Sequence, residues 1–458
     1  MKLLLINPFN PLINLADVKS SRWNRYRIWK PLGLLVLSAL TPKEWDVTII
    51  DENIGRVDYN KMDTPDFVGI SAFTSQAPRA YELAAEFRAK KIPVVMGGIH
   101  ATMCTQEAAK FVDSIVTGEA EIVWPQVLQD VIAGRLQSLY HGGHIDMAHM
   151  PIARHDLLTK GYAFGSIQTT RGCPLNCKFC SVTAFNGNKY RNRPIENVIE
   201  EFRAIPEKRV LIVDDNLIGI TPAHIERAKE LFRAMIAANI RKKWMAQVTI
   251  NFADDEELLT LAEKAGCSGV FIGFESSSAT GLAEVGKKFN MLKSRNFHHS
   301  IRHIHKHKIL VVGSFIMGLD ADKPGIGKQI AAAGKSYGVD ILNVLFLTPL
   351  PGTHLWNDMC GQDRILLCDF PADWKYYTLG FPTAKYNNFS FREILHEMKL
   401  CDGSFYSRKQ ILLRAFKNFI YRHQPFVSLI SNLSFRHNAK MAQKGYLKLL
   451  RSRTSLVT

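Results

Sequence analysis

Short apolar runs alternate with longer segments in which apolar residues return every third or fourth position, from residue 1 to about residue 350. The runs read as strands buried on both faces, and the helically spaced positions read as helices covering them. In residues 1–141 the strand runs are Leu3-Leu4-Leu5-Ile6, Val47-Thr48-Ile49-Ile50, Phe67-Val68-Gly69-Ile70, Val94-Val95-Met96 and Ser114-Ile115-Val116, with Ala80, Leu83, Ala84 and Phe87 marking one helix face. This alternation predicts an α/β domain built on a doubly wound parallel sheet. Glycine, proline and lost periodicity then mark a linker over 142–160. Residues 161–350 repeat the pattern six times, in Ser166-Ile167-Gln168-Thr169, Val210-Leu211-Ile212-Val213, Met245-Ala246-Gln247-Val248, Val270-Phe271-Ile272-Gly273-Phe274, Leu310-Val311-Val312-Gly313-Ser314-Phe315 and Ile341-Leu342-Asn343-Val344-Leu345-Phe346. Six repeats predict an open partial (β/α)6 TIM barrel. The turn Thr348-Pro349-Leu350-Pro351-Gly352-Thr353 leads into a helical region, 351–458.

Parallel α/β units bind ligands at the carboxyl ends of their strands, so the polar residues there carry the candidate chemistry. In the first unit these are Asn7, Asp51-Glu52-Asn53, Ser71-Ala72-Phe73-Thr74, Gly97-Gly98-Ile99-His100-Ala101-Thr102 and Gly118-Glu119-Ala120-Glu121. The glycines there admit a large flat molecule to the backbone. In the second unit the first strand is followed by Cys173, Cys177 and Cys180. The spacing CxxxCxxC puts three thiolates on one tight loop, enough to hold three irons of a cubic cluster and leave the fourth without a protein ligand. Structural zinc would want a fourth ligand at CxxC-type spacing, and none lies nearby. Later strands end in Asp214-Asp215-Asn216, Gln247, Glu275-Ser276-Ser277 and Gly318-Leu319-Asp320. Glu275 follows a wholly apolar strand, where an unpaired carboxylate is expensive. A cationic ligand or a neighbouring Lys or Arg would relieve it. Asp214 and Asp215 equally suit a helix cap, Gln247 equally suits buried backbone, and Phe179 equally suits packing.

The run Arg171-Gly172-Cys173-Pro174-Leu175-Asn176-Cys177-Lys178-Phe179-Cys180, set between a strand and a helix marked by Ile195, Val198, Ile199 and Phe202, resembles the radical S-adenosylmethionine (SAM) superfamily. The resemblance implies a four-iron four-sulfur (4Fe-4S) cluster on Cys173, Cys177 and Cys180 whose open iron binds SAM and reduces it to a 5′-deoxyadenosyl radical. It implies SAM-binding roles for Asp215 or Asn216, for Glu275 and for the segment from Gly313 to Gly318, and Phe179, Gln247 and Ser276 join them as candidates from their places on the loop and strand ends. The first unit resembles the cobalamin-binding domain that precedes many such cores, through Pro31-Leu32-Gly33-Leu34, the Gly97 to Thr102 turn and Gly118-Glu119-Ala120-Glu121. That likeness makes Asn7, Ser71, Thr74, Gly97, Gly98, His100, Ala101, Gly118 and Glu119 the candidate cobalamin residues. No DxHxxG sequence is present, and Asp146-Met147-Ala148-His149 has neither its spacing nor its glycine. Cobalamin without a protein imidazole is therefore expected, with His100 a turn residue near the ligand.

The resemblances together imply cobalamin-dependent methylation of an unactivated carbon in a lipid or other apolar secondary metabolite, supported by a reductant such as flavodoxin or ferredoxin. The same motifs also serve oxidative cyclisation, dehydrogenation or carbon–carbon coupling, and a non-enzymatic cobalamin-binding protein is the alternative of another class. Methylthiotransferases carry a second cluster on an amino-terminal cysteine set, and only Cys104 stands there. Trp356, Trp374, Tyr376 and Tyr377, after the barrel, suit either a core or the lid of an apolar substrate site.

With 458 residues, 47% of them apolar and 22% charged, the chain is too long for one ordinary core and reads as a multidomain globular protein. No run approaches the ~20 apolar residues of a membrane span, and the first apolar run is too short for a signal peptide, so a cytoplasmic location is expected. The net charge of +16 is uneven: residues 404–458 hold eleven Lys and Arg and no Asp or Glu. Phe405, Tyr406, Phe416, Phe419, Tyr421, Phe426, Phe435 and Tyr446 are interleaved with those cations. Such a tail suits peripheral attachment to an anionic membrane surface, here the inner face, with nucleic acid as the less favoured partner.

Overall fold

The computed structural model describes residues 1–12, 29–287, 295–421 and 424–453. Among them, β1 (Lys2–Asn7), β2 (Asp46–Asp51), β3 (Phe67–Ser71), β4 (Val94–Gly97), β5 (Ser114–Thr117) and β6 (Leu139–His141) form a parallel sheet in the order β2-β1-β3-β4-β5-β6. Leu3 and Leu5 of β1 point into one buried cluster with Leu34, Leu35 and Trp124, while Leu4 and Ile6 point into the other with Ala80, Leu83 and Phe87. Burial on both faces explains why these strands are apolar throughout rather than alternating. Strand order reverses between β1 and β3, which opens a crevice beyond their carboxyl ends at Asn7 and Ser71. The sixth strand was not expected. Its three residues pair with β5 at the sheet edge, Ile115 opposite Leu139 through Thr117 opposite His141, and too few apolar positions announce it.

The second sheet contains β7 (Gly165–Ile167), then, past a two-stranded antiparallel clasp of β8 (Thr170–Arg171) and β9 (Arg191–Asn192), the strands β10 (Arg209–Ile212), β11 (Lys243–Val248), β12 (Cys267–Glu275), β13 (Leu310–Met317) and β14 (Ile341–Phe346). All six main strands are parallel and lie in sequence order, with β7 and β14 at the two edges, as the partial barrel predicts. The helices Phe391–Phe405, Arg408–Tyr421 and Pro425–Ser452 follow. Tyr406 ties them to the barrel: its hydroxyl donates to the Leu342 carbonyl at 2.5 Å and accepts from the Leu342 amide at 3.0 Å. Phe405, Tyr406 and Tyr446 are buried there, so these three tail aromatics are core rather than surface.

The linker is packed, not loose. Ile145, Met147, Met150 and Ala153 enter the core of the first domain. His155 Nε2 lies 3.0 Å from Glu201, and Arg193 lies 2.6 Å from the same carboxylate while donating to the Pro151 carbonyl at 3.2 Å. All three side chains are buried. Because breaking a buried charge pair leaves a desolvated ion behind, Glu201→Ala should cost about 3–5 kcal/mol. Guanidinium unfolding measures this, and a loss under about 1 kcal/mol would show that water reaches the group.

Candidate functional site

The cysteine loop is held from three sides. Gly172 has φ +91°, and a Cβ there would stand 2.2 Å from the Lys189 carbonyl, so only glycine lets the chain enter the loop beneath β9. The Cys173 amide donates to the Gly187 carbonyl at 3.2 Å, and the Cys180 amide to Cys177 at 3.1 Å. Asp215, just past β10, accepts from the Gly172 amide at 2.7 Å and from Asn186 Nδ2 at 3.0 Å. Its neighbour Asp214 accepts from the Thr169 amide at 2.6 Å and Thr170 Oγ1 at 2.9 Å. Full burial pushes the Asp214 carboxyl up to about 6 despite those donors.

The three thiols are free. Burial pushes Cys173 up to about 11 and Cys177 up to about 12, so metal binding must displace their protons. Their three sulfurs do not all lie within 4.8 Å of one another. Ligands of one tetrahedral zinc would sit about 3.8 Å apart. The spread donor set fits a multi-iron cluster rather than a single ion.

Beside the loop lies a buried ion pair. Lys287 Nζ donates to Glu275 at 2.6 Å and to the Gly273 carbonyl at 2.9 Å. Glu275 itself sits at φ +62°, where the register of β12 against β13 shifts. Burial works against the Lys287 charge, but Glu275, Cys177 and Cys180 outweigh it and raise its pKa. Lysine is thus the cation that relieves Glu275, one of the two solutions open from sequence. Lys287 itself carried no signal, since it belongs to no apolar pattern and one of several cations downstream of Glu275 could have served.

Other strand-end candidates divide by face. Gln247 is exposed, on the side of β11 opposite Trp244, Ala246 and Val248. Asn216 is buried and donates to Thr249 Oγ1 at 3.3 Å, and buried Ser276 bonds Ser278. Phe179 packs half-buried against the barrel core. A Cβ on Gly313 would stand 2.7 Å from Val339 and 3.1 Å from Phe274, which marks it as a packing glycine on the outer face. Gly318 has φ +100° and lies under the Tyr386 ring, with its amide donating to Asp322 at 2.9 Å.

One cavity of about 840 Å³ joins the carboxyl ends of both sheets. Asn7, Ser71, Thr74, Gly97, Gly98, Gly118 and Glu119 line it from the first domain. Gln168, Arg171, Asp215, Ser181 and Val182 line it from the second, and Leu350, Pro351 and Tyr377 from the following region. Gly98 has φ +87°, and a side chain there would press on Ser71 Oγ at 2.9 Å. His100 and Ala101 do not line the cavity. The helix Gly98–Met103 turns His100 outward, where it is fully buried with its Nε2 2.8 Å from the Tyr81 hydroxyl and its ring against Trp374. Trp374 stacks on Phe370 at 3.7 Å within the same core, so this aromatic group seats the carboxyl-terminal region on the first domain.

Where the two edges meet, Arg171 reaches Glu119 and Glu121, each at 2.9 Å, and Arg191 grips both oxygens of Glu119. The Ile145 amide also donates to Glu119 at 2.8 Å. Burial opposes ionisation of Glu119, but Arg191 and Arg171 hold its pKa below the ordinary carboxylate value. Sequence reading placed Glu119 on the cavity and missed both arginines, whose partners lie up to 72 residues away.

Residues 167–323 match the model of the Radical SAM superfamily, and residues 23–128 match that of the B12 binding domain. The bacteriochlorophyllide d C-12(1)-methyltransferase of Chlorobaculum tepidum is 31% identical over 365 residues, 77% of this chain and 78% of that protein. The hopanoid C-2 methylase of Rhodopseudomonas palustris is 28% identical over 346 residues, 73% of this chain and 65% of that protein. The radical SAM methyltransferase TsrM from Kitasatospora setae, solved with cobalamin and a 4Fe-4S cluster bound, matches with a TM-score of 0.68 at 16% identity, covering 96% of this chain and 99% of that one. At that identity the likeness is one of fold.

Because the cysteine loop and the first sheet form separate cores, Cys177→Ala should lose nearly all bound iron after anaerobic reconstitution and retain corrinoid binding. Iron and cobalt analysis of the desalted protein checks this. Joint loss of both metals, with circular dichroism unchanged, would contradict it.

Proposed function

The chain belongs to the cobalamin-dependent radical SAM methyltransferase family, whose cofactors are a 4Fe-4S cluster, SAM and cobalamin, and from that premise we propose that it methylates an unactivated carbon of an apolar, polycyclic small molecule. The observation that carries this reading is the shared cavity, because a substrate held there meets both sheet edges at once. Its walls include Leu5, Leu34, Ile70, Val116 and Leu350, which suit an apolar guest and exclude water from reactive species. Relatives named for bacteriochlorophyllide and hopanoid substrates support the polycyclic class.

When bound, the cluster supplies the electron that cleaves SAM, and cobalamin supplies the methyl group. The protein's residues bind, orient and enclose. Cys173, Cys177 and Cys180 would hold the cluster, and Asp215 fixes the loop through the Gly172 amide. Asn216, Gln247, Ser276 and the Glu275–Lys287 pair, at successive strand ends, are our candidates for the polar contacts to SAM, with Phe179 and the Gly313 to Gly318 segment beside them. Asn7, Ser71, Thr74, Gly97, Gly98 and Gly118 would receive cobalamin along the first sheet edge. No imidazole reaches the cavity from His100, in keeping with cobalamin held without a histidine ligand.

Incubated anaerobically with SAM, methylcobalamin, a reductant such as flavodoxin and a polycyclic lipid extract, the reconstituted protein should form 5′-deoxyadenosine and a product heavier by one methylene. Mass spectrometry checks this. A product lacking hydrogens but gaining no carbon would replace methylation with oxidation.

The carboxyl-terminal helix pair supports delivery from a lipid surface. Leu412, Phe416, Phe419 and Phe426 are 62–74% exposed in the segment that carries eleven cations and no acid. No described helix is long and apolar enough to cross a membrane, so insertion would be peripheral. The protein should sediment with phosphatidylglycerol vesicles, release at high salt, and lose most binding as the triple variant Phe416→Ser, Phe419→Ser, Phe426→Ser. Equal binding to neutral vesicles would contradict an electrostatic contribution.

A further inference from the structure

On the outer face of the barrel, the helix Phe297–Lys306 carries His303 in its last turn, and His307 follows four residues on, so both rings leave the same side of the chain. Facing them is Glu256, the first residue of the neighbouring helix Glu256–Lys264. None of the three lines the cavity between the domains. Their donor atoms all lie within 4.8 Å of one another.

The outer nitrogens are already engaged. His303 Nδ1 lies 2.8 Å from the Ala253 carbonyl, a contact that only an Nδ1–H can satisfy. His307 Nδ1 lies 3.2 Å from Glu263 Oε2, which likewise calls for a proton on Nδ1. With Nδ1 so engaged on both rings, Nε2 is the atom each turns toward Glu256, and it offers a lone pair there whenever the ring is neutral. Nε2 of His303 meets Oε2 of Glu256, and Nε2 of His307 lies 3.2 Å from Oε1. His307 is more than nine-tenths buried, and its Nε2 makes no hydrogen bond although Glu256 is near, so a buried ring nitrogen points into the gap unsatisfied. A histidine tied at one nitrogen to a carbonyl or carboxylate and open at the other is how proteins orient metal ligands.

We propose that His303, His307 and Glu256 form a zinc site separate from the redox cofactors, with Glu263 and the Ala253 carbonyl orienting the two rings and water completing the tetrahedron. Bonds of about 2.0–2.2 Å put ligands of one zinc roughly 3.3 Å apart, so small side-chain rotations close this set. The ion links the helix after β11 to the helix after β12, on the outer face of the strand that ends in Glu275.

The test uses the full chain carrying its 4Fe-4S cluster, exposed to micromolar zinc chloride and desalted. One zinc per chain is expected, with only nitrogen and oxygen scatterers at the zinc K-edge, a higher melting temperature than the zinc-free holoprotein, and unchanged iron. The double variant His303→Gln, His307→Gln should retain no zinc and show no melting shift. Should that variant fold poorly, Glu256→Gln should still weaken zinc binding by about tenfold or more, while the wild-type scattering gives the ligand set. No retained zinc, sulfur scatterers that put the ion on the cysteine loop, or undiminished binding by the variants would each overturn the site and leave His303 and His307 as imidazolium partners of Glu256. None of these results bears on the methyl-transfer reading, which is judged on iron, cobalt and product.

Discussion

Arg171 is the residue on which the arrangement of the two domains turns. It is buried, stands two positions before the first cluster cysteine, and has its charge answered by Glu119 and Glu121 from the edge of the other sheet. A guanidinium so buried is costly without its partners, so losing either carboxylate from register would leave much of its charge unanswered. Such a group specifies geometry more than it adds stability, because any slippage between domains leaves a charge unpaired. Arg191 repeats the restraint from the second strand of the clasp, and the Ile145 amide of the linker completes it. The loop that would carry iron and the sheet edge that would carry the corrin are therefore locked to each other within one electrostatic cluster.

The same economy recurs around the loop. Asp215 serves the cavity wall and the Gly172 amide together, and Lys287 serves Glu275 while lying close to the thiols. Charges that would be costly alone are satisfied by neighbours that also shape the site. The carboxyl-terminal region is bound in similarly: Trp374 donates to Glu107 of the first domain at 2.9 Å, while Tyr406 holds β14. One chain segment thus braces both domains from the far side of the cavity.

Both sheets were legible because their strands are buried on two faces and so read as continuous apolar runs, and the cysteine triplet because three thiols at that spacing have few structural uses. Residue roles were less legible. Gly313 and Gly318 look alike in sequence, yet one makes room for Phe274 and the other adopts a left-handed turn beneath Tyr386. His100 lies in a turn whose first glycines face the cavity, but a helical rotation of two residues carries it to the other side. Arg171 and Arg191 draw their meaning from partners 50 to 72 residues away, and no local pattern records that.

The central claim, that both cofactors address one cavity, is tested most directly by electron paramagnetic resonance on protein loaded with the reduced cluster alone, cob(II)alamin alone, and both together. The account predicts that the doubly loaded spectrum shows spin–spin broadening and faster relaxation than the sum of the two single spectra. A doubly loaded spectrum equal to that sum would place the two centres apart and contradict it.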